Sequence, residues 1–140
     1  MKATVKWLDH MSFVGESGSG HSVVMDGAPE VGGRNMGVRP MEMVLLGLGG
    51  CTAFDMVLIL KRQRQAISDC HVEVEAERAT EVPKVFTKIH VHYVVKGKDM
   101  DPKKVERAVN MTAEKYCSVS IMLSASVELT HDFEIVGEQD

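Results

Sequence analysis

Residues 40–55 read PMEMVLLGLGGCTAFD and form the most apolar stretch of the 140-residue chain. Pro40 suits the first turn of a helix, because the N–H that proline lacks has no partner in that turn. The apolar residues that follow, as far as Leu60, lie on every side of a helical projection. A helix that is apolar all round must be covered on all sides. We therefore predict a long central helix over residues 40–65, buried within the protein.

Three glycines interrupt this predicted helix, namely Gly47, Gly49 and Gly50. Each costs roughly 1 kcal/mol relative to alanine in a helix interior. Such a cost is usually offset where the backbone of another element packs closely. One chain of this length also has little material left to cover a helix on all sides. The sequence therefore predicts a homodimer with this helix at its centre.

The chain on either side of the helix alternates between apolar and polar residues, as half-buried β-strands do. We expect strands within residues 1–26, and then a glycine-rich loop over residues 27–40 that is long enough to be functional or mobile. After the helix, residues 70–136 have the pattern strand, strand, helix, strand. This order predicts a single domain over residues 1–140 of the α+β class, with an antiparallel sheet wrapped around the central helix.

The two strands after the helix are predicted to pair antiparallel, with Glu75 opposite Lys88 and Glu73 opposite His90. This register gives the outer face a ladder of mostly opposite charges. The histidines predicted on that face are His71, His90 and His92. They could form a metal site, but exposed histidines opposite glutamates are more common without one. We therefore expect no metal and no cofactor.

Composition excludes several classes of protein. A net charge of −4 and 44% hydrophobic residues do not fit global disorder. No run of lysine and arginine is present, so we expect no nucleic-acid partner. The glycine-rich residues 15–20 lack the lysine of a phosphate-binding loop.

The apolar run over residues 41–60 is about long enough to span a bilayer. Glu42 and Asp55 within the run argue against that interpretation, because acidic groups are costly in hydrocarbon. The N-terminus lacks the apolar region of a secretory signal. We therefore expect a cytoplasmic protein without a membrane partner, in a compartment that keeps thiols reduced.

The chain has three cysteines. Cys51 lies inside the most apolar helix, and Cys117 lies at the seam between two helical segments. A free cysteine is often no more than a small buried hydrophobic residue. Two cysteines on buried helices of a cytoplasmic protein also fit a catalytic or redox-sensing pair. The residues alone leave both interpretations open, while Cys70, beside Asp69 at a strand edge, is expected to have no role.

The charges near Cys51 do not obviously activate it. It lies about 11 residues into its helix, beyond the first turn in which the helix dipole acts. Asp55, one turn later, adds negative charge, so a cation must come from elsewhere, and Arg34 and Arg39 in the loop are the candidates. Glu42 lies about 13 Å from Cys51 along a straight helix, so any contact between them would cross a dimer interface.

The segments PMEMVLLGLGGC (40–51) and AEKYCSVSIML (113–123) resemble the two cysteine motifs of the osmotically induced protein C and organic hydroperoxide resistance (OsmC/Ohr) family. The order of strands and helices also resembles that family over nearly the whole chain, and most closely a compact subgroup of OsmC-like bacterial proteins. The resemblance implies an OsmC-like fold and an intertwined homodimer with active sites at the interface.

The resemblance also implies a thiol peroxidase cycle in oxidative-stress defence. Cys51 would attack an organic hydroperoxide and become a sulfenic acid, and Cys117 would condense with it to a disulfide. A dithiol reductant would then restore both thiols.

Two positions depart from the family pattern. The family carboxylate normally follows the proline directly, whereas here Met41 holds that place and Glu42 comes one residue later. The family's activating arginine comes from the N-terminal hairpin, but the first arginine of this chain is Arg34. Glu42 and Arg39 are therefore the candidates for these two roles. The alternative function is a catalytically weak OsmC-like stress protein, or one that binds a small apolar ligand.

Overall fold

The computed structural model describes residues 1–137. Its elements are β1 (Ala3–Asp9), β2 (Ser12–Ser17), β3 (Ser22–Met25), α1 (Pro40–Arg62), β4 (Ala66–Arg78), β5 (Phe86–Lys98), α2 (Pro102–Met111), α3 (Ser118–Ser124) and β6 (Glu128–Gly137). The predicted α+β class is confirmed. The chain divides into two compact units, one of residues 1–46 and one that begins at Gly47.

The first unit contains an antiparallel sheet in the order β1-β2-β3. The loop after β3 is attached to this sheet by Asp26, which is 2% exposed. The Asp26 carboxylate accepts hydrogen bonds from the Ser12 hydroxyl at 2.9 Å and from the backbone N–H groups of Gly27 at 2.7 Å and Met36 at 3.2 Å. The segment that the sequence predicts to be functional or mobile is thus organised around one buried carboxylate.

The second unit contains a sheet in the order β4-β5-β6. β4 and β5 pair antiparallel, but β5 and β6 pair parallel. The prediction of a purely antiparallel sheet is therefore wrong for this strand. The cause is the helical connection from β5 to β6, because α2 and α3 carry the chain back to the starting end of the sheet, as a parallel pair requires.

The register of β4 against β5 also differs from the prediction. Glu75 lies opposite His90, and Glu73 lies opposite His92. In the predicted register, the partner of each glutamate on β5 lies two residues before the observed one. Since side chains alternate with a period of two, this shift leaves the predicted faces unchanged and alters only the pairs.

Helix α1 starts at Pro40 as predicted but ends at Arg62, before the predicted Gln65. Arg64, with a φ of 58°, adopts a left-handed conformation that turns the chain into β4. Only one face of the helix is buried. The residues on this face are Leu48, Thr52, Met56 and Leu60, each 0% exposed.

The remaining sides of α1 are open within one chain. Leu46 is 58% exposed and Phe54 is 70% exposed. A Cβ added to Gly47 or Gly50 would meet no atom of residues 1–137 within 4 Å. The described residues of one chain therefore do not cover the helix on all sides, and the homodimer stays a prediction. By length and composition alone α1 could also cross a membrane, a criterion that the core helix of a globular fold can equally meet.

Helix α2 begins as the sequence predicts. Asp101 is its N-cap, and its carboxylate accepts a hydrogen bond from the Lys103 N–H at 3.0 Å. Pro102 occupies the first turn, where it removes no hydrogen bond. The buried residues Val105, Ala108 and Val109 form the apolar face of this helix.

Candidate active site

Cys51 and Cys117 lie together in the second unit, with Asp55 beside them. The two Sγ atoms and one carboxylate oxygen of Asp55 all lie within 4.8 Å of one another. Cys51 and Asp55 are one turn apart on α1, whereas Cys117 comes from the segment between α2 and α3. A disulfide requires about 2.0 Å between sulfurs, so the two Sγ atoms must still move closer before they can join.

The position of Cys117 depends on a π-helical turn over Thr112–Tyr116, at the end of α2. The N–H of Cys117 donates to the Thr112 carbonyl at 2.9 Å and closes this wider turn. Cys117 is then the N-cap of α3, and its Sγ accepts a hydrogen bond from the Ser120 N–H at 3.4 Å. Turns of this kind often occur at functional sites. The sequence predicts a seam between helices here, but not the π-helical turn.

The two thiols differ in their access to solvent. Cys117 is 0% exposed, whereas Cys51 is partly exposed. Burial raises the pKa of Cys117, the neighbouring Cys51 thiol raises it further, and the hydrogen bonds from Ser120 lower it by less. Cys117 is therefore held as a neutral thiol at neutral pH, and Cys51 is the more exposed of the two residues.

Asp55 has an unusual position beside these thiols. Burial raises the pKa of its carboxyl group. Its Oδ2 atom is inaccessible and accepts no hydrogen bond from any residue in 1–137. A buried polar atom without a partner is uncommon in folded proteins and often marks a functional role.

Tyr93 and Thr52 complete the surroundings of the two sulfurs. Tyr93 is 1% exposed, and its pKa lies well above the usual value, mainly because of burial and then because of the nearby Cys117 thiol. The Thr52 hydroxyl donates to the backbone carbonyls of Leu48 and Gly49 at 3.0 Å each. Apart from Asp55, the groups described beside the thiols are thus neutral.

A cavity of about 450 Å³ opens beside Asp55. Leu58 and Met111 contribute apolar walls, and Arg62 and Arg107 contribute two guanidinium groups. Neither arginine forms an ion pair with a residue in the described part of the chain. The volume of this cavity is typical of sites for small molecules. No local motif in the sequence indicates these two arginines, because they belong to different helices that only the fold brings together.

The predicted helper residues Arg39 and Glu42 lie in the first unit. The backbone N–H of Arg39 donates to Glu42 Oε1 at 2.8 Å, a capping interaction at the start of α1. The Arg39 guanidinium donates to Asn35 Oδ1 at 2.7 Å and to the Gly37 carbonyl at 3.3 Å. Arg34, the other candidate cation, pairs with the Asp9 carboxylate at 2.5 Å. Among the described residues the Arg39 guanidinium is thus bound by neutral oxygens, and its action on Cys51 stays a prediction.

Histidines on the outer face of the second sheet form a ladder with acidic residues of β6. Asp132 Oδ1 lies 2.7 Å from His90 Nε2 and 2.8 Å from His92 Nδ1. Glu134 lies 3.3 Å from His92 Nε2. His71 instead lies near Glu73 on its own strand. The ring nitrogens of His92 are therefore both engaged by carboxylates of the protein.

Comparison with known proteins places the chain in a family. The OsmC-like protein family model matches residues 32–132. Protein YhfA of Escherichia coli K12 is 46% identical over 140 residues, which cover 98% of this chain and 99% of YhfA. The crystal structure of a hypothetical protein from Aquifex aeolicus VF5 is 28% identical, with a TM-score of 0.86, and covers 99% of this chain and 97% of that one.

The organic hydroperoxide resistance protein OsmC from Legionella pneumophila has the same fold at 16% identity, with a TM-score of 0.69. The alignment covers 96% of this chain and 97% of that one, and at this identity it concerns the fold alone. The family match, by contrast, spans most of the sequence and includes both Cys51 and Cys117. The chain therefore belongs to the OsmC-like protein family.

Proposed function

We propose that this protein reduces organic hydroperoxides with Cys51 as the attacking thiol and Cys117 as the resolving thiol. The observation that carries the proposal is the approach of the two Sγ atoms to within 4.8 Å in an apolar site. The Legionella structure with the same fold is described as an organic hydroperoxide resistance protein and as a predicted redox protein, which supports this class of reaction.

The unequal exposure of the two sulfurs supports the order of the steps. The Cys51 thiolate attacks one oxygen of the hydroperoxide, the O–O bond breaks, and the leaving alkoxide takes up a proton to become an alcohol. Cys51 is then a sulfenic acid. The buried Cys117 thiol attacks this sulfur, water leaves, and a disulfide forms between the two residues.

A dithiol reductant closes the cycle. One of its thiolates attacks the disulfide to give a mixed disulfide, and its second thiol releases both protein thiols. The cavity beside Asp55 has room for the apolar body of a hydroperoxide or of such a reductant. This cavity shares Asp55 with the cluster of Cys51, Asp55 and Cys117, although neither cysteine is among its lining residues.

Arg39 is our candidate for the cation that stabilises the leaving oxygen. Its acceptors within residues 1–137 are neutral, whereas Arg34 pairs with a carboxylate. A donor to the developing oxyanion is worth about 3 kcal/mol in comparable sites. Glu42 would position Arg39 through their contact at the helix start, and both would act from the second copy of a homodimer.

The second candidate function is a weakly catalytic stress protein or a protein that binds a small apolar ligand. The cavity of about 450 Å³ favours it, because such a cavity suits binding with or without chemistry. The two functions differ in one respect that is simple to measure, namely whether turnover of peroxide requires Cys51.

The deciding experiment measures consumption of cumene hydroperoxide with dithiothreitol or a lipoyl dithiol as reductant. The wild type and Cys70→Ser should turn over at similar rates, because Cys70 lies outside the cluster of Cys51, Asp55 and Cys117. Cys51→Ser should be inactive, and Cys117→Ser should lose the disulfide step. If the wild type and Cys51→Ser consume peroxide equally slowly, the reductase proposal fails and the binding function is favoured.

A further inference from the structure

We propose that the reduced pair Cys51 and Cys117, together with Asp55, binds a thiophilic divalent cation of the zinc class. The site would exist only in the dithiol form of the protein, so binding of the cation and formation of the disulfide would exclude each other. This property is independent of hydroperoxide reduction and adds a second ligand to the same cluster.

The distances between the donor atoms support the proposal. Three atoms within 4.8 Å of one another leave a central point at most about 2.8 Å from each of them, whereas zinc lies about 2.3 Å from sulfur and about 2.0 Å from carboxylate oxygen. The donors therefore need to close by about half an ångström to about one ångström. Cys51 and Asp55 project from adjacent turns of one rigid helix, so two of the three ligands are positioned together.

The types of donor favour one class of cation. Two sulfurs and one oxygen suit zinc and its heavier relatives, because thiolates are soft ligands. Calcium and magnesium prefer six or more oxygen ligands, which this cluster does not offer. Three protein ligands also leave one coordination position open, as in zinc sites that keep a water molecule.

The unpartnered Asp55 Oδ2 is an observation independent of the two sulfurs. It is buried and accepts no hydrogen bond within residues 1–137, although a carboxylate in such a place needs a donor or a cation. A bound cation would supply that partner. The Ser120 N–H, which already donates to Cys117 Sγ, would orient the sulfur as an outer-shell contact.

The changes of charge and bonding balance in both directions. Binding of the cation displaces one proton from each thiol to solvent and forms two metal–sulfur bonds. Oxidation removes two electrons from the two thiolates, forms the disulfide and releases the cation. A diazene oxidant such as diamide accepts these two electrons together with two protons and becomes the corresponding hydrazine.

The test uses the full-length protein, reduced and kept without oxygen, and titrates it with Co²⁺ as an optical probe and with Zn²⁺ in a calorimeter. The wild type and the matched control Cys70→Ser should bind one equivalent, with Co²⁺ giving near-ultraviolet charge-transfer bands from thiolate. Cys51→Ser and Cys117→Ser should each lose most of this absorption. Asp55→Asn, which keeps the shape of the side chain, should weaken Zn²⁺ binding by at least about tenfold.

Treatment of the Zn²⁺-loaded protein with diamide should release the cation, which a chromogenic chelator detects. Circular dichroism of each variant establishes that it is folded. Binding that lacks thiolate bands, or that persists unchanged in Cys51→Ser and Cys117→Ser, would overturn the proposal and place the cation elsewhere, for example on the exposed histidines of the second sheet. Because no hydroperoxide is present, failure here leaves the reductase proposal untouched.

Discussion

The sulfur atoms of Cys51 and Cys117 lie within 4.8 Å of one another, although a helix end, a β-hairpin and a second helix separate them along the chain. The residue Cys51 is partly exposed, whereas Cys117 is buried. This asymmetry supports the different roles that we propose for the two cysteines.

The π-helical turn over Thr112–Tyr116 should be necessary for this approach. Deletion of the exposed Glu114 would remove the extra residue of the turn and rotate Cys117 by about 100° around the helix axis. We expect the deletion variant to fold but to form little Cys51–Cys117 disulfide when it is treated with hydroperoxide. Quantitative alkylation of free thiols measures the difference.

The control for this deletion is Glu114→Ala, which keeps the number of residues in the turn. It should form the disulfide as the wild type does. Equal disulfide yields in the deletion variant and the control would mean that the turn does not position Cys117.

The histidine ladder on the second sheet should make stability depend on pH. Hydrogen bonds to Asp132 and then to Glu134 raise the pKa of His92, and hydrogen bonds from His92 and His90 lower the pKa of Asp132. Glu73 on β4 also faces His92. The raised pKa of His92 contributes stability below about pH 6.5 that is lost as the pH rises through its higher folded value.

The lowered pKa of Asp132 makes stability depend on pH in the opposite direction. It contributes stability above about pH 4 that is lost as the pH falls through its lower folded value. The ladder therefore stabilises the protein most between these limits. Asp132→Asn should lower the urea midpoint more at about pH 5.5 than at about pH 8.

Glu128→Gln is the matched control for this change, because Glu128 lies on the same strand and face but opposite Lys88. It should have a smaller effect on the urea midpoint at the lower pH. A loss in Asp132→Asn that is the same at both pH values would contradict the role of His92. The expected effect is modest, because the Asp132 side chain is 60% exposed and solvent screens its charge.

The exposed apolar side of α1 should be the surface at which two copies associate. Phe54 is 70% exposed in one chain, which is unusual for a large aromatic residue in the longest helix. Phe54→Lys should therefore shift the protein toward monomer. Sedimentation velocity at micromolar concentration is the measurement, with a dimer expected for the wild type.

Val82→Lys is the control, because Val82 is 87% exposed and belongs to the turn between β4 and β5 instead of α1. It should sediment like the wild type. A wild-type species of 15.4 kDa under these conditions would contradict the predicted homodimer.

Local signals in the sequence were sufficient for the elements that depend on local chemistry. Pro40 indicated the start of α1, and Asp101 with Pro102 indicated the start of α2, because caps and first turns require particular residues. The alternation of apolar and polar residues predicts strands at the positions of β4 and β5. These features depend on neighbours in the chain, which the sequence displays directly.

Features that depend on distant contacts were not predicted. The register of β4 against β5 was wrong because the alternation of side chains is the same after a shift of two residues. The parallel pairing of β6 was missed because strand direction depends on the path of α2 and α3. Arg62 and Arg107 carry no local motif, and only the packing of α1 and α2 brings them to one cavity.

The most direct test of the account is peptide mapping by mass spectrometry after addition of one equivalent of organic hydroperoxide to the reduced protein. The account predicts a disulfide between the peptides that contain Cys51 and Cys117, while Cys70 remains free for alkylation. If Cys51 and Cys117 are both alkylated to the same extent as before the addition, the two thiols do not form a redox pair and the central claim is contradicted.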